Sequence, residues 1–264
     1  MIGPVVVAAH GFREAGPATP THVTIDAFRR WSEACRQHVG GFGDPADLPH
    51  QRAQAAAAGC EHQAPVARPI LTFDDALASV GLVAESLAAP AILFVVAAHA
   101  GKRNDWPGQP AWVPREPCLS WAAIRDLAEL GWTIGAHTMT HPRLSALPAD
   151  RQRHEIEASS KSIEDRIGRP CRYFAYPYGD APRTARLVVA ESGMTGFGTL
   201  PGRVRPESDP ACLPRVDLYD LVRPGVASQW AWSGPTRSAV MKLRCRRSIA
   251  RFVPRRSVAH ATGS

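Results

Sequence analysis

Short, mostly apolar blocks recur along the chain, separated by longer stretches in which apolar positions fall three or four apart. Pro4–Ala9, Ile70–Phe73, Ala91–Val96, Trp132–Ala136 and Tyr173–Ala175 are blocks of strand length, and Leu213–Val216 is a late one. Between them, Ile25, Phe28 and Trp31 share a helical face behind Thr24, a capping residue, and predict a helix to about His38. A helix over about Leu77–Ala88 follows the second block. Ser120 caps another that runs to Leu130 and ends at Gly131. Ile156, Ile163 and Ile167 define a helix over about Asp150–Ile167 with Gly168 behind it, and Thr184–Ser192 predicts one more. Continuous apolar blocks suit strands covered on both faces, so their alternation with helices predicts βα units around a parallel sheet.

Two stretches break this rhythm. Residues 40–68 are rich in Gly, Ala and Pro and read as loop with some helix; Ala98–Pro117 is a Pro/Gly/Trp segment. No internal repeat occurs, and no interdomain linker precedes about residue 230. The 264 residues are enough for one large core, and 45% hydrophobic with 21% charged residues is an ordinary globular composition. No apolar run approaches the roughly 20 residues of a membrane span.

Charge changes the picture only at one end. The net charge is +7, but residues 237–264 carry eight Lys and Arg and no acid, leaving the rest near −1. That balance argues against a nucleic-acid-binding body and divides the chain into a domain over 1–235 and a basic tail over 236–264. The tail interleaves Val240, Leu243, Ile249, Phe252 and Val253 with its arginines, a pattern that suits an anionic membrane surface as well as a merely solvated tail. The N-terminal stretch lacks the basic residues of a secretory signal, and the six cysteines form no CxxC pair. Free thiols in a cytoplasmic protein are the resulting expectation.

Polar residues of catalytic type stand just after the apolar blocks: His10, then Asp74 and Asp75, then His137 and His141, then Tyr178 and Asp180. In a parallel α/β fold these positions share one rim, where such folds build active sites. Two histidines four residues apart plus one carboxylate form a metal site with open positions; His137 and His141 alone would pass for surface loop histidines. Asp74 and Asp75 alone would pass for a helix cap. Beside the histidines, one of them can bind the metal and the other can accept a proton from water.

Thr72-Phe-Asp-Asp75, His137-Thr-Met-Thr-His141-Pro and Phe174-Ala-Tyr-Pro-Tyr-Gly179, in that order, resemble the three leading motifs of the polysaccharide deacetylase family, also called NodB-homology or family 4 carbohydrate esterases. The resemblance spans about residues 5–216. It implies a single-domain α/β fold, a distorted (β/α) barrel, and one divalent metal ion, most often zinc. Carried over by position, Asp75, His137 and His141 are the metal ligands, Asp74 the general base, and the Tyr178 backbone N–H an oxyanion donor.

The chain departs from the family pattern in places. Ala76 stands where Gly is usual, and Ala175 where many members have an arginine beside the base; Arg215 is a candidate to supply that guanidinium from another strand. The late Leu-x-His motif, the family's usual source of a general acid, is absent, and His260 lies in the basic tail. Some members resemble a circular permutation with the last strand moved to the front, and His10 at the end of Val5-Val-Val-Ala-Ala then takes the acid's place. Trp106 and Trp112 in the long insert are candidates for a sugar-stacking wall or for loop anchors. The expected activity is removal of an N-acetyl group from an amino sugar or glycan intermediate. The alternatives are a same-fold hydrolase of a non-sugar amide or cyclic imide, and a non-catalytic glycan-binding protein.

Overall fold

The computed structural model describes residues 3–48, 68–87 and 90–223. Residues 49–67 of the stretch read as loop with some helix, and the basic tail over 236–264 with its membrane contact, lie outside the described residues, as do Cys60, Cys245 and His260. The other four cysteines are free.

Strand β1 (Val6–Ala9) leads to a small ribbon, β2 (Gly11–Arg13) and β3 (His22–Thr24), and to helix α1 (Ile25–Val39). Then come β4 (Ile70–Phe73), the short α2 (Gly81–Ala84), β5 (Ile92–Val95), α3 (Trp121–Glu129), β6 (Thr133–Ala136), α4 (Ala149–Ile167), β7 (Tyr173–Ala175), α5 (Arg183–Glu191), β8 (Thr195–Phe197), β9 (Val216–Asp217) and α6 (Leu218–Val222). Seven strands form one parallel sheet in the order β8-β7-β6-β5-β4-β1-β9. The stretch Leu213–Asp217 ties its edges together. Leu213 exchanges hydrogen bonds with Gly196 and Gly198 at the β8 end (2.8 and 2.9 Å), while Val216 and Asp217 pair with β1. The sheet therefore curls into the distorted (β/α) barrel expected of the sequence, a single-domain α/β fold.

Alternation along the strands sorts the side chains. Val6, Ile70, Ile92, Phe94, Tyr173, Ala175 and Phe197 form one cluster with Leu48, Val204 and Leu213, the inside of the curl. Their neighbours Val5, Val7, Leu71, Phe73, Leu93 and Val95 belong to a second, larger cluster with the apolar faces of the helices, including Phe28, Trp31, Ile124, Ile156 and Val188. Gly135 makes room for the first cluster: a Cβ there would lie 2.7 Å from the Phe94 ring.

The capping signals act as read. Thr24 and Ser120 accept from the N–H groups of Ala27 and Ala123, and Gly40 and Gly168 end α1 and α4 in the left-handed conformation. The helix expected over Leu77–Ala88 is shorter. A 3₁₀ turn over Ala78–Val80 precedes α2, because the Ala78 N–H is bound to Pro117 O (2.8 Å), Ser79 Oγ accepts from the Phe12 N–H (3.0 Å) and Ser86 Oγ turns back to Val83 O (2.8 Å). These contacts draw the segment's polar groups away from a continuous helical ladder. Strand β8 and the β2–β3 ribbon were not legible: each is three residues long, and β8 contains Gly196. No helix among the described residues is long and apolar enough to cross a membrane.

Candidate metal centre and its surroundings

The inward register continues past the strand ends. His10 prolongs the Val6, Ala8 row, Asp74 the Ile70, Thr72 row, and His137 the row of Gly135, so three polar side chains emerge at one end of the barrel. Asp75 and His141 join them through strained backbone: Asp75, Ala76, Thr138, His141 and Tyr178 all have positive φ, between 49° and 70°. Left-handed residues other than Gly are uncommon, and five of them around one point mark a site held in shape by its surroundings. Ala76, where the family has Gly, is one of the five.

Asp75, His137 and His141 are all buried, and one donor atom from each lies within 4.8 Å of the others. Nε2 of His137 and of His141 stand 3.5 and 3.3 Å from Asp75 Oδ1. That oxygen is buried without a hydrogen-bond partner. His137 Nδ1 donates to Ala175 O (2.8 Å), which fixes the tautomer and leaves the Nε2 lone pair facing Asp75. Burial, partly offset by Asp74, pushes the His137 pKa down to about 4, so its imidazole is neutral near pH 7. Burial opposes the charge on Asp75, but contact with His141 and the nearby His10 and His137 hold its carboxyl well below the usual carboxylate range. Two imidazoles and an ionised carboxylate, with an orphan oxygen between them, are a donor set that fits a divalent ion.

Asp74 points into the same space but binds something else. Arg215, 1% exposed, donates through Nη1 to Asp74 Oδ1 (2.7 Å) and through Nη2 to Oδ2 (2.8 Å). The guanidinium is itself fixed by Gly198 O (2.9 Å) and Thr72 Oγ1 (3.0 Å). It comes from the stretch that closes the barrel and reaches Asp74 where Ala175 offers no side chain to do so. Burial works against ionisation of Asp74, and Arg215, His137 and His10 outweigh it, keeping the carboxyl below its ordinary value. Neither aspartate caps a helix. His10 Nε2 lies 3.9 Å from Asp74 Oδ2, and its Nδ1 is buried without a partner.

Tyr178 sits in the turn Pro177–Gly179, whose hydrogen bonds are donated by Gly179 and Asp180 (2.8 and 3.0 Å), so the Tyr178 N–H is not spent on them. Its ring stands edge-on to His141, 4.7 Å away. Trp106 covers another side of His141 at 4.3 Å and is 2% exposed, so it anchors the long insert; Trp112 in the same insert is 46% exposed. Asp180 lies at the rim and accepts from the Ser145 N–H (2.8 Å) and hydroxyl (2.7 Å).

Sequence reading missed Glu155. It is buried on α4 and accepts from the Met139 and Thr140 N–H groups (both 2.9 Å) and from the Thr140 hydroxyl (2.8 Å), clamping the loop between the two histidines. The one available signal was an acid on the Ile156 face of an otherwise ordinary amphipathic helix. It also missed His22, whose Nε2 lies 2.6 Å from Glu116 Oε1 and ties the β2–β3 ribbon to the insert. Nothing in the local sequence marks that pair.

The model of the polysaccharide deacetylase family matches residues 63–197, just over half of the chain, and the chain belongs to that family. Among solved structures it is similar to IcaB from Ammonifex degensii, at 24% identity over 88% of this chain and 98% of that one with a TM-score of 0.65. It is similar to the Streptococcus pyogenes deacetylase PplD, solved with acetate, at 18% identity over 82% and 92% with a TM-score of 0.65. It also resembles the deacetylase domain of BpsB from Bordetella bronchiseptica, at 21% identity over 81% and 95% with a TM-score of 0.61. These likenesses establish the common fold. No curated protein matches it.

Proposed function

We propose that the protein is a metal-dependent deacetylase that hydrolyses the acetamido group of an N-acetylated amino sugar, or of a glycan intermediate carrying one, to acetate and a free amine. The carrying observation is the convergence of Asp75, His137 and His141 on one point with an ionised, arginine-held Asp74 beside it. These three residues would hold the ion, and zinc suits the donor set. When bound, a divalent ion supplies Lewis-acid polarisation of the acetamido carbonyl and lowers the pKa of water at the site.

In this reading Asp74 accepts the proton of the water that attacks the carbonyl carbon, and Arg215 keeps its carboxylate charged and oriented. The Tyr178 N–H donates to the oxygen that becomes negative as the carbon turns tetrahedral. As the C–N bond breaks, His10 delivers a proton to the departing nitrogen, since an amide anion is a very poor leaving group. The place of His10 just past β1, beside Asp74 just past β4, supports that role. We also propose that the enzyme works in the cytoplasm, which fractionation of cells expressing it tests directly.

The decisive experiment incubates zinc-loaded protein with a panel of acetamido sugars and follows the products by mass spectrometry. Loss of one acetyl group with release of acetate is expected, and Asp74→Asn should keep its ion and lose most of the turnover. A protein that holds one equivalent of metal and deacetylates no member of the panel would overturn the reading.

A further inference from the structure

Among the described residues, two arginines near the site, Arg143 and Arg115, have no acidic partner. Arg143, two residues beyond His141, is exposed, and its guanidinium lies over the Tyr178 ring, 4.4 Å from the centroid. The same phenol ring thus touches both this cation and the His141 imidazole. None of the ion pairs among the described residues involves Arg143, and Asp180, two residues beyond Tyr178, spends one oxygen on both donors of Ser145. Arg115, in the insert that carries Trp106, donates to Gln109 O (3.0 Å) and Asn104 O (3.4 Å), both neutral carbonyls. Those bonds fasten Arg115 beside Trp106, which packs on His141.

We propose that this rim is a subsite for an anionic group of the substrate, with Arg143 as its main contact and Arg115 as the second cation. The inference rests on the deacetylase reading of the centre. Arg215 answers the charge of Asp74 and a bound divalent ion would answer that of Asp75, so the site itself does not repel an anion, and a cation at its mouth draws one in. A guanidinium held over an aromatic ring keeps N–H donors in a fork that fits a phosphate or carboxylate. In a 2-acetamido sugar the substituents on C1 and C3 are the neighbours of the acetamido group. An anomeric phosphate or a carboxylate-bearing ether at C3 would therefore reach the rim with the acetamido group at the metal centre.

The test compares zinc-loaded protein on N-acetylglucosamine 1-phosphate, on N-acetylmuramic acid and on the neutral methyl glycoside of N-acetylglucosamine. The wild type should favour one of the anionic sugars over the neutral one by about tenfold in kcat/KM, through KM, the worth of one charge-assisted hydrogen bond. The anion preferred tells phosphate from carboxylate. The preference should shrink as salt is raised and fall to within about twofold in Arg143→Gln, while Arg143→Lys keeps part of it. Equal kcat/KM on all three sugars, or a preference that survives Arg143→Gln, overturns the subsite. Calorimetric binding of the same sugars separates the two readings. Tighter binding of an anionic sugar, lost in Arg143→Gln but without turnover of any sugar, would keep the subsite and overturn the deacetylase. Turnover without discrimination would do the reverse.

Discussion

Asp74 and Arg215 form a buried pair in which each side chain answers the other's charge. Removing one partner leaves an uncompensated charge in the barrel, which costs about 3–5 kcal/mol, whereas replacing both with neutral groups costs far less. Arg215→Met should therefore unfold at markedly lower urea concentration than the wild type, and Asp74→Asn with Arg215→Met should recover much of the loss. Arg215→Lys keeps a charge but not the two-pronged contact. Arg215 is among the groups that hold the Asp74 carboxyl low, so weakening it raises that pKa, and the acid limb of the kcat/KM profile should move to higher pH. His10→Ala should keep fold and metal yet lose roughly 10²–10⁴ in turnover, the usual worth of a positioned acid. Near-normal turnover with an unchanged alkaline limb would leave His10 a structural residue.

At the scale of elements, the loop from His137 to His141 is shaped by α4 as much as by its own residues. Two of its members have positive φ, and Glu155 satisfies two of its N–H groups and a hydroxyl. Glu155→Ala removes the acceptor for donors that stay partly buried, at a cost of about 1–3 kcal/mol. The ligand histidines lose their orientation with it, and outer contacts of this kind are worth about 10–100-fold in metal affinity. Competition with a zinc chelator should register that loss, and a variant with unchanged affinity would leave the clamp without influence on the ligands. The insert over residues 98–117 shows a similar division of labour. Trp106 is an anchor packed on His141, while Trp112 is exposed, so two tryptophans read alike in the sequence have different surroundings.

For the whole molecule, the metal centre joins side chains from the loop after β4 and from the loop after β6, and β7 fixes one of them through Ala175 O. An ion bound there connects separate parts of the barrel and is absent from the unfolded chain, so binding adds to folding stability. At free ion a hundred times the dissociation constant the gain is about 2.7 kcal/mol. For a domain of this size that corresponds to a rise of roughly 5–10 °C in Tm. Zinc should raise the melting temperature by that amount, a chelator should reverse it, and the His137→Ala, His141→Ala double variant should show neither effect. A shift retained in the double variant would place the ion elsewhere.

The sequence by itself determined the βα rhythm, most helix ends and the identity of the polar rim residues, because burial period, capping and strand-end position are local properties. Asp74, Asp75, His137 and His141 were legible for that reason. Only the tertiary structure decided which of these residues meet. Arg215 is 141 positions from Asp74, and no local pattern joins them; closure of the barrel through Leu213–Asp217 does. Glu155 and His22 were likewise silent, since a buried polar residue is recognised by partners that folding brings to it. The helix over Leu77–Ala88 was over-read because contacts from Phe12 and Pro117, distant in sequence, compete for its polar groups. Local patterns specify faces and ends; the choice of partners belongs to the packed chain, where an unpaired charge or donor is too costly to leave.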